Sequence, residues 1–272
     1  MEVIYVTHPM KRINTDEHVM AIGFFDGIHL GHQELLNRAR QLARNNDVLF
    51  TAMTFSPHPD EVIKGDKERK YLTPLEQKVE KMAEFGVDKL FVVTFNKTFA
   101  SLSPTDFINE YIIGTNTKHV VVGYDFTFGF KAKGNTEFLY TESNKHGFGL
   151  SVVPKKTFMG KKISSSLLRE LLQDGDVDAI PYHLGEPYSV KVRVVQQIWP
   201  GIVKVQVADN FLLPKKGSYH VEIVNGNRII IGQFDRDSYT DELIITGLND
   251  CIVKEVSIAF LSMVASARTV SS

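Results

Sequence analysis

The chain is poor in cysteine, and this scarcity limits both its cross-linking and its compartment. Cys251 is the single cysteine among 272 residues, which excludes an intrachain disulfide and fits a reducing cytosol. No apolar run approaches the roughly 18 residues of a membrane span. Residues 1–11 have neither the basic start nor the continuous apolar core of a signal peptide. We therefore predict a soluble, cytoplasmic protein.

An excess of charge of one sign is also missing. The 31 Lys and Arg residues nearly balance the 32 Asp and Glu residues, and the formal net charge is −1. A chain without a strong net charge lacks the bulk attraction that draws a protein to nucleic acid or to a membrane surface. We predict neither of those partners, but a small-molecule substrate and a monomer or weak oligomer.

Several familiar nucleotide- and metal-binding motifs are absent as well. Neither Gly-x-x-x-x-Gly-Lys-Ser/Thr nor Gly-x-Gly-x-x-Gly occurs, which excludes an ordinary P-loop and a dinucleotide fingerprint. No Cys/His cluster has the spacing of a zinc site, and no catalytic triad can be assembled from local motifs. Any chemistry must therefore come from another arrangement of residues.

The order of strand-like and helix-like segments predicts two domains. Strands and helices alternate over residues 1 to about 180, which indicates a doubly wound, Rossmann-like α/β domain with a parallel sheet. From residue 188 onward, β-rich runs and turns such as Asn225-Gly226 indicate a small antiparallel barrel or sandwich. We expect a last strand over residues 253–260 and a terminal helix over 261–267. The predicted domains are 1–186 and 187–272.

One predicted helix of the first domain has a clear start signal. Thr73 is the expected N-cap, with Pro74 at the first helical position and Glu76 completing a capping box. The apolar stripe of this helix is expected to contain Val79, Met82 and Ala83.

A glycine-rich turn between an apolar run and an amphipathic helix is the first candidate site. Free backbone N–H groups and the helix dipole point to one place there, which makes an anion site. Gly27 and Gly31 would let a phosphate approach the backbone closely, and His29 and His32 can donate to its oxygens. The alternative is a plain strand-to-helix turn with two solvated histidines.

Three further candidate segments follow predicted strands, and ligands of open parallel sheets bind beyond the carboxyl ends of the strands. Two of them are residues 56–59 and residues 125–135. The third is a helix start, where the hydroxyls of Ser164, Ser165 and Ser166 with Arg169 could form a second phosphate clamp. The alternative for these serines is simple capping of the helix.

The loop after residue 123 and the Pro-His-Pro segment leave alternatives open. Phe126 and Phe128 could form an aromatic wall for a planar ring, or pack the loop onto the core. Asp125 could face a magnesium-bound phosphate or a ribose, or cap the loop. His58, between two prolines, is either a rigid loop residue or a functional one.

These segments together resemble the motifs of prokaryotic FAD synthetases, which are nucleotidyltransferases of the His-x-Gly-His superfamily. The glycine-rich turn resembles their motif Gly-x-Phe-Asp-Gly-x-His-x-Gly-His, reading Gly23-Phe24-Phe25-Asp26-Gly27-Ile28-His29-Leu30-Gly31-His32. Residues 54–59, 121–129 and 163–169 are similar to the second, third and fourth motifs, in the family's order. Ser166 stands where the family usually has threonine, and it keeps the hydroxyl.

The resemblance implies an FMN adenylyltransferase, in which the FMN phosphate attacks the α-phosphorus of ATP and gives FAD and pyrophosphate, with Mg²⁺ as cofactor. The catalytic residues that it implies are His29, His32, Ser164 and Arg169. The ATP-binding residues are Gly23, Phe24, Phe25, Asp26, Gly27, Gly31, Asp125, Ser165 and Ser166. The FMN-binding residues are Phe55, Pro57, His58, Phe126 and Phe128, and Asp125 is a candidate ligand of Mg²⁺.

The second half departs from the family's pattern. Most members carry a C-terminal riboflavin kinase barrel with a Gly-Arg-x-Leu-Gly-Phe-Pro-Thr-Ala-Asn signature, which is missing here. We therefore expect a monofunctional FMN adenylyltransferase with a degenerate kinase-like barrel. The alternatives are a bifunctional enzyme with an unusual kinase site, a nucleotidyltransferase for another phosphorylated acceptor, and a non-catalytic flavin- or nucleotide-binding regulator.

Overall fold

The computed structural model describes residues 1–10, 13, 15–207, 210–236, 243–248 and 255–264. The chain divides into two compact units, the first made of Met1–Arg69 and Thr73–Ile163. The second unit combines Lys70–Leu72 with the described part of Ser164–Ser272. These compact units do not test the predicted domain boundary after residue 186, which stays a prediction. No helix in the described ranges is long and apolar enough to cross a membrane.

The first unit alternates strands and helices as the sequence predicts. Its strands are β1 (Glu2–Val6), β2 (His18–Ile22), β3 (Leu49–Ser56), β4 (Lys89–Thr94), β5 (Thr117–Gly123), β6 (Gly149–Val153), β7 (Thr157–Phe158) and β8 (Lys161–Lys162). Its helices are α1 (Leu30–Asn45), α2 (Pro59–Ile63), α3 (Leu75–Glu84), α4 (Lys97–Ala100), α5 (Pro104–Phe107) and α6 (Thr136–His146). A π-helical turn (Ile108–Ile112) and a 3-10 turn (Ile113–Thr115) continue α5.

A six-stranded parallel sheet forms the centre of this unit, in the order β1-β4-β3-β2-β5-β6. The chain builds outward from β2 through β3 to β4 and then starts the other half at β5. The strand order therefore reverses between β2 and β5, and ligands of such sheets bind beyond the carboxyl ends of the strands at this point. The predicted doubly wound α/β architecture is confirmed.

Apolar side chains on both faces of the sheet explain why it folds. All five residues of β2 are buried, as expected of a central parallel strand. On one face, Leu35, Leu36 and Ala39 of α1 pack against the sheet at helical spacing. The other face carries a core rich in aromatic residues, including Phe99, Phe107, Tyr111 and Phe128.

Helix α3 differs from its prediction at both its start and its buried face. The helix begins at Leu75 with Pro74 as N-cap, and no side chain caps it, so the predicted Thr73 capping box is wrong. Thr73 instead donates its backbone N–H to Asp26. Ala83 is exposed, whereas Lys78 is buried.

The second unit is a closed antiparallel barrel preceded by helices. Its elements are α7 (Ser165–Asp174), α8 (Pro181–Leu184), β9 (Ser189–Trp199), β10 (Gly201–Val207), β11 (Gly217–Asn225), β12 (Arg228–Arg236), β13 (Leu243–Leu248) and β14 (Glu255–Met263). The barrel order is β10-β13-β12-β11-β14-β9, which confirms the predicted antiparallel barrel. Leu72 and α7 residues such as Leu168 share its apolar core with Val190, Tyr219 and Phe260.

The C-terminal part of the prediction needs one correction. Strand β14 continues to Met263 and residue 264 is not helical, so the predicted helix over residues 261–267 is wrong for its first four residues. Residues 265–267 and Cys251 lie outside the described ranges.

Candidate active site

The turn that follows β2 has an unusual backbone conformation. Phe25 and Ile28 have φ angles of 58° and 43°, in the left-handed region that few side chains adopt, and Gly27 has a φ of 84°. Each such non-glycine residue costs on the order of 1–3 kcal/mol and persists only where its surroundings hold it. Within the described ranges, the N–H groups of Phe25, Gly27 and Ile28 donate to no protein acceptor. The turn therefore offers a set of free N–H donors.

The two histidines of the turn form one stacked pair. His29 is the N-cap of α1, and its Nδ1 accepts the backbone N–H of His32 at 3.3 Å. The two rings stack with centroids 3.7 Å apart and planes 14° from parallel. Because Nδ1 of His29 accepts a hydrogen bond, its neutral ring carries its proton on Nε2. A Cβ atom at position 31 would lie only 3.2 Å from the His29 ring, so glycine at this position leaves room for the stacked ring.

Burial keeps both rings neutral at pH 7. Burial is the main cause that lowers the pKa of His29 to about 4, and Lys162 contributes to this shift, whereas a backbone hydrogen bond, Asp125 and Asp26 oppose it. Burial, then His29 and Lys78, hold the pKa of His32 well below its ordinary value. The solvated-histidine alternative is therefore wrong. The Nδ1 atom of His32 is buried and has no partner within the described ranges, so it is available to a ligand.

A cavity of about 550 Å³ lies beside the turn, at the reversal of strand order. It brings together residues from three of the predicted motifs, namely Gly23, Phe24, His32, Phe55, Asp125, Phe126 and Phe128. Its size is typical of small-molecule sites. Further lining residues lie outside the predicted candidate segments, among them Ile63, Phe95, Phe99 and Phe107.

Phe126 and Phe128 form an aromatic wall of this cavity. Their rings stack with centroids 5.4 Å apart and planes 20° from parallel, and Phe128 also contacts Phe107 at 5.1 Å. Phe128 belongs to the buried core and Phe126 packs against it, which bears out the packing alternative, while their role as a wall for a planar ring stays a prediction. Phe130, two residues further along the loop, is 41% exposed and does not line the cavity.

Pro57 and His58 are placed differently from Phe55, because they do not line the cavity. His58 is the N-cap of α2, where its Nδ1 accepts the N–H of Asp60 at 3.0 Å. Its Nε2 lies 3.1 Å from a guanidinium nitrogen of Arg69. The His58 and Phe24 rings form a T-shaped pair with centroids 4.4 Å apart, so His58 adjoins the cavity through Phe24.

The acidic residues of the site differ in exposure. Asp125 is exposed, and its Oδ2 accepts from Nζ of Lys162 at 2.7 Å. Asp26 is buried and accepts the N–H of Thr73 at 3.0 Å. No group of three His, Cys, Asp or Glu side chains within the described ranges could hold a metal ion.

Lys78 of α3 contacts this turn, although it is not among the predicted site residues. Its side chain is buried, and its Nζ donates to the Phe24 carbonyl at 2.7 Å and lies 3.3 Å from Thr54 Oγ1. The amine also lies 4.2 Å from the centroid of the Phe24 ring. Burial lowers the pKa of Lys78 to about 8, and Asp26 opposes that shift. The sequence contains no signal for this role, since lysine in an amphipathic helix is typical of a solvated face.

The remaining predicted residues belong to the second unit. Ser164 is the N-cap of α7, with its Oγ accepting the Leu167 N–H at 3.3 Å, which bears out the capping alternative for this residue. Ser165 and Ser166 follow in the first turn of the helix. Arg169 donates to the Lys70 carbonyl at 2.8 Å. The phosphate-clamp role of these residues stays a prediction.

Comparison with known proteins agrees with these observations. The model of the family described as FAD synthetase matches residues 11–167. A Bacillus subtilis protein named bifunctional riboflavin kinase/FMN adenylyltransferase is 41% identical over 236 residues, which cover 83% of this chain and 74% of the relative. A Listeria monocytogenes FAD synthetase is 31% identical over 241 residues, which cover 86% of this chain and 95% of the relative. A crystal structure of a protein named macrolide-efflux protein, from Streptococcus pneumoniae, has a TM-score of 0.87 over 100% of this chain and 94% of that one; at 24% identity this likeness concerns the fold alone.

Proposed function

The chain belongs to the FAD synthetase family, and from this premise we propose that it transfers AMP from ATP to FMN with little or no riboflavin kinase activity. One observation carries the choice of a flavin as acceptor. The cavity beside the stacked histidines is lined by phenylalanines from separate segments of the first unit, including Phe55, Phe126 and Phe128. Such a cavity suits a large planar ring system.

The reaction needs positioning and charge stabilisation more than a protein nucleophile. A phosphate oxygen of FMN attacks the α-phosphorus of ATP, a new P–O bond forms, and the bond to the β-phosphate breaks. Pyrophosphate leaves with the electron pair of that bond. Negative charge grows on the non-bridging and leaving oxygens, so hydrogen-bond donors aimed at them lower the barrier.

The stacked histidines and the free N–H groups of the turn supply such donors. His29 presents its Nε2 proton because its Nδ1 accepts from His32. The pKa of His29 is about 4 in the free protein, and a bound triphosphate would raise it because a nearby anion favours the charged ring. By the family resemblance, Ser164, Ser165 and Arg169 would hold the β- and γ-phosphates, and Ser166 would add a further hydroxyl to the ATP site.

Magnesium fits this arrangement only with the help of substrate. Mg²⁺ is usually held by one or two carboxylates together with phosphates and water. Asp125 is an exposed carboxylate at the rim of the cavity, and it would contribute one ligand in exchange for its contact with Lys162. When bound, the ion neutralises phosphate charge. The other ligands would come from ATP and water.

Phe126→Ala is expected to raise the KM for FMN about tenfold, since loss of one stacked ring and its buried area costs about 1.4 kcal/mol or more. The KM for ATP should change little. Phe130→Ala is the matched control, because Phe130 lies in the same loop but outside the cavity lining. Steady-state kinetics with varied FMN measure both, and an equal effect of the two variants would contradict the flavin assignment.

The barrel supports the expected loss of kinase activity. Strands β9 and β10 are joined through Pro200 alone, which leaves no loop to hold phosphates there. The missing Gly-Arg-x-Leu-Gly-Phe-Pro-Thr-Ala-Asn signature agrees with this connection. The bifunctional name of the Bacillus subtilis relative favours the opposite outcome, so kinase activity is the point to test. The scarcity of cysteine supports action in the cytoplasm.

We expect FAD from FMN, and no FMN from riboflavin, when the protein is incubated with ATP and magnesium and the flavins are separated by chromatography. Pyrophosphate release should match FAD formation. FMN produced from riboflavin would identify a bifunctional enzyme. Tight binding of FMN and ATP without pyrophosphate would instead indicate a regulator.

A further inference from the structure

Lys78 contacts the glycine-rich turn, but the proposed reaction assigns no role to it. Lys78 is 2% exposed, and a buried ammonium persists only with good partners. Its partners are the Phe24 carbonyl at 2.7 Å, Thr54 Oγ1 at 3.3 Å and the face of the Phe24 ring at 4.2 Å. All of these lie in or against the turn that leads to His29 and His32.

The contact with the Phe24 carbonyl fixes the orientation of one peptide group. In a trans peptide the carbonyl and the following N–H point in opposite directions. The Phe24 carbonyl is turned towards Lys78 and also accepts from Thr54 Oγ1 at 2.9 Å, so the Phe25 N–H points away from them. Phe25 has a φ of 58°, and its N–H donates to no acceptor within the described ranges. Lys78 thus holds the peptide group between Phe24 and Phe25, whose N–H is a free donor next to the strained φ of Phe25.

The charge of Lys78 also acts on this turn. It is one of the causes that lower the pKa of His32, after burial and His29. Asp26 is the acidic group that most favours the charged amine. Because the amine is shielded from water, its field is screened less than that of a surface lysine.

We propose that Lys78 is a positioning residue of the adenylyl-transfer site, which fixes the Phe24–Phe25 peptide and places a positive charge beneath the bound triphosphate. This inference rests on the proposed function, since it assumes a nucleotide triphosphate at the turn. Lys78 itself does not line the flavin cavity. Its removal should therefore affect the phosphate side of the reaction and leave flavin binding unchanged.

The test compares Lys78→Met with the unchanged protein in two measurements. Affinity for inorganic tripolyphosphate, measured by calorimetry, should fall about tenfold, and kcat for FAD formation should fall at least about tenfold. The KM for FMN should stay within about twofold. Lys78→Arg should recover much of both losses because it keeps the charge and the donors.

Two further variants separate the charge from the packing. Lys81→Met removes a lysine from the same helix one turn later and should leave both measurements unchanged. Lys78→Gln keeps a donor for the Phe24 carbonyl without the charge, and it replaces Lys78→Met should that variant not fold. It is expected to show the loss of tripolyphosphate affinity.

The outcomes distinguish this inference from the proposed function. Lower thermal stability, with kcat and tripolyphosphate affinity per folded molecule unchanged in both Lys78→Met and Lys78→Gln, would overturn the positioning role. A rise in the KM for FMN as large as the fall in tripolyphosphate affinity would also overturn it. The protein without substitutions could also form no FAD and still bind tripolyphosphate in a way that depends on Lys78. That result would contradict the proposed function and support the positioning role of Lys78.

Discussion

His29→Ala and His32→Ala are each expected to lower the rate of FAD formation at least tenfold. Loss of one preorganised donor to a developing negative charge commonly costs about 10²- to 10³-fold in kcat. The two rings stack at 3.7 Å, and His32 lines the cavity, so under the proposed function each variant removes a donor or acceptor from the proposed phosphate site. Because the two rings act as a pair, the double variant should lose less than the product of the single losses.

His146→Ala is a suitable control for this pair. His146 lies on α6 of the same unit, where it contacts Glu142 at 3.2 Å, and it is not among the residues that line the cavity. Its replacement should leave FAD formation within about twofold of the unchanged protein. Initial rates of FAD and pyrophosphate formation measure all four variants, the double variant included. Near-normal rates for both His29→Ala and His32→Ala would contradict their catalytic role.

The second large effect concerns stability in acid. His29 is 8% exposed, and burial lowers its pKa from 6.5 to about 4 in the folded protein. Between those values the unfolded chain binds a proton that the folded chain does not, so the free energy of unfolding decreases as the pH falls. His29 alone should account for about 3 kcal/mol between pH 6.5 and pH 4.

His29→Asn isolates this contribution. Asparagine is a good N-cap residue and does not titrate, so the start of α1 is kept while the pH dependence is removed. Urea unfolding of both proteins from pH 7 to pH 4 gives the difference in unfolding free energy at each pH. We expect that difference to change by about 3 kcal/mol in favour of His29→Asn as the pH falls. Parallel stability curves would show that His29 has the same pKa in the folded and the unfolded protein, and would contradict the expected effect.

Part of the site could be predicted because it depends on local sequence and strand order. The glycine turn after β2 and the loop after β5 both follow strands, and the carboxyl ends of parallel strands share one edge of a sheet. The structure brings Gly23, His32, Asp125 and Phe126 to one cavity at that edge. The amphipathic helix expected after the glycine turn is also found, as α1, because a helix packed on a sheet shows an apolar stripe in its sequence.

Other features depend on contacts that no local pattern contains. Lys78 lies at a helical position that is typical of a solvated face, but the Phe24 carbonyl provides a partner from a distant segment. Thr73 fits an N-cap, yet its N–H is taken by Asp26, 47 residues earlier. Phe95 and Phe99 are ordinary core residues by sequence, and only the packing of the sheet's second face places them at the cavity.

The short segment Lys70–Leu72 has a consequence for how such a chain can change over time. Tyr71 exchanges backbone hydrogen bonds with Asn210 and Leu212, at 2.6 and 2.8 Å, and Leu72 is buried in the barrel core. A gene fragment for residues 164–272 therefore does not encode the whole second unit. Deletion of residues 164–272 would leave Leu72 without the apolar core that buries it. A lineage that no longer needs a catalytic motif in the barrel can lose it by point substitutions, while the barrel itself is retained as a scaffold.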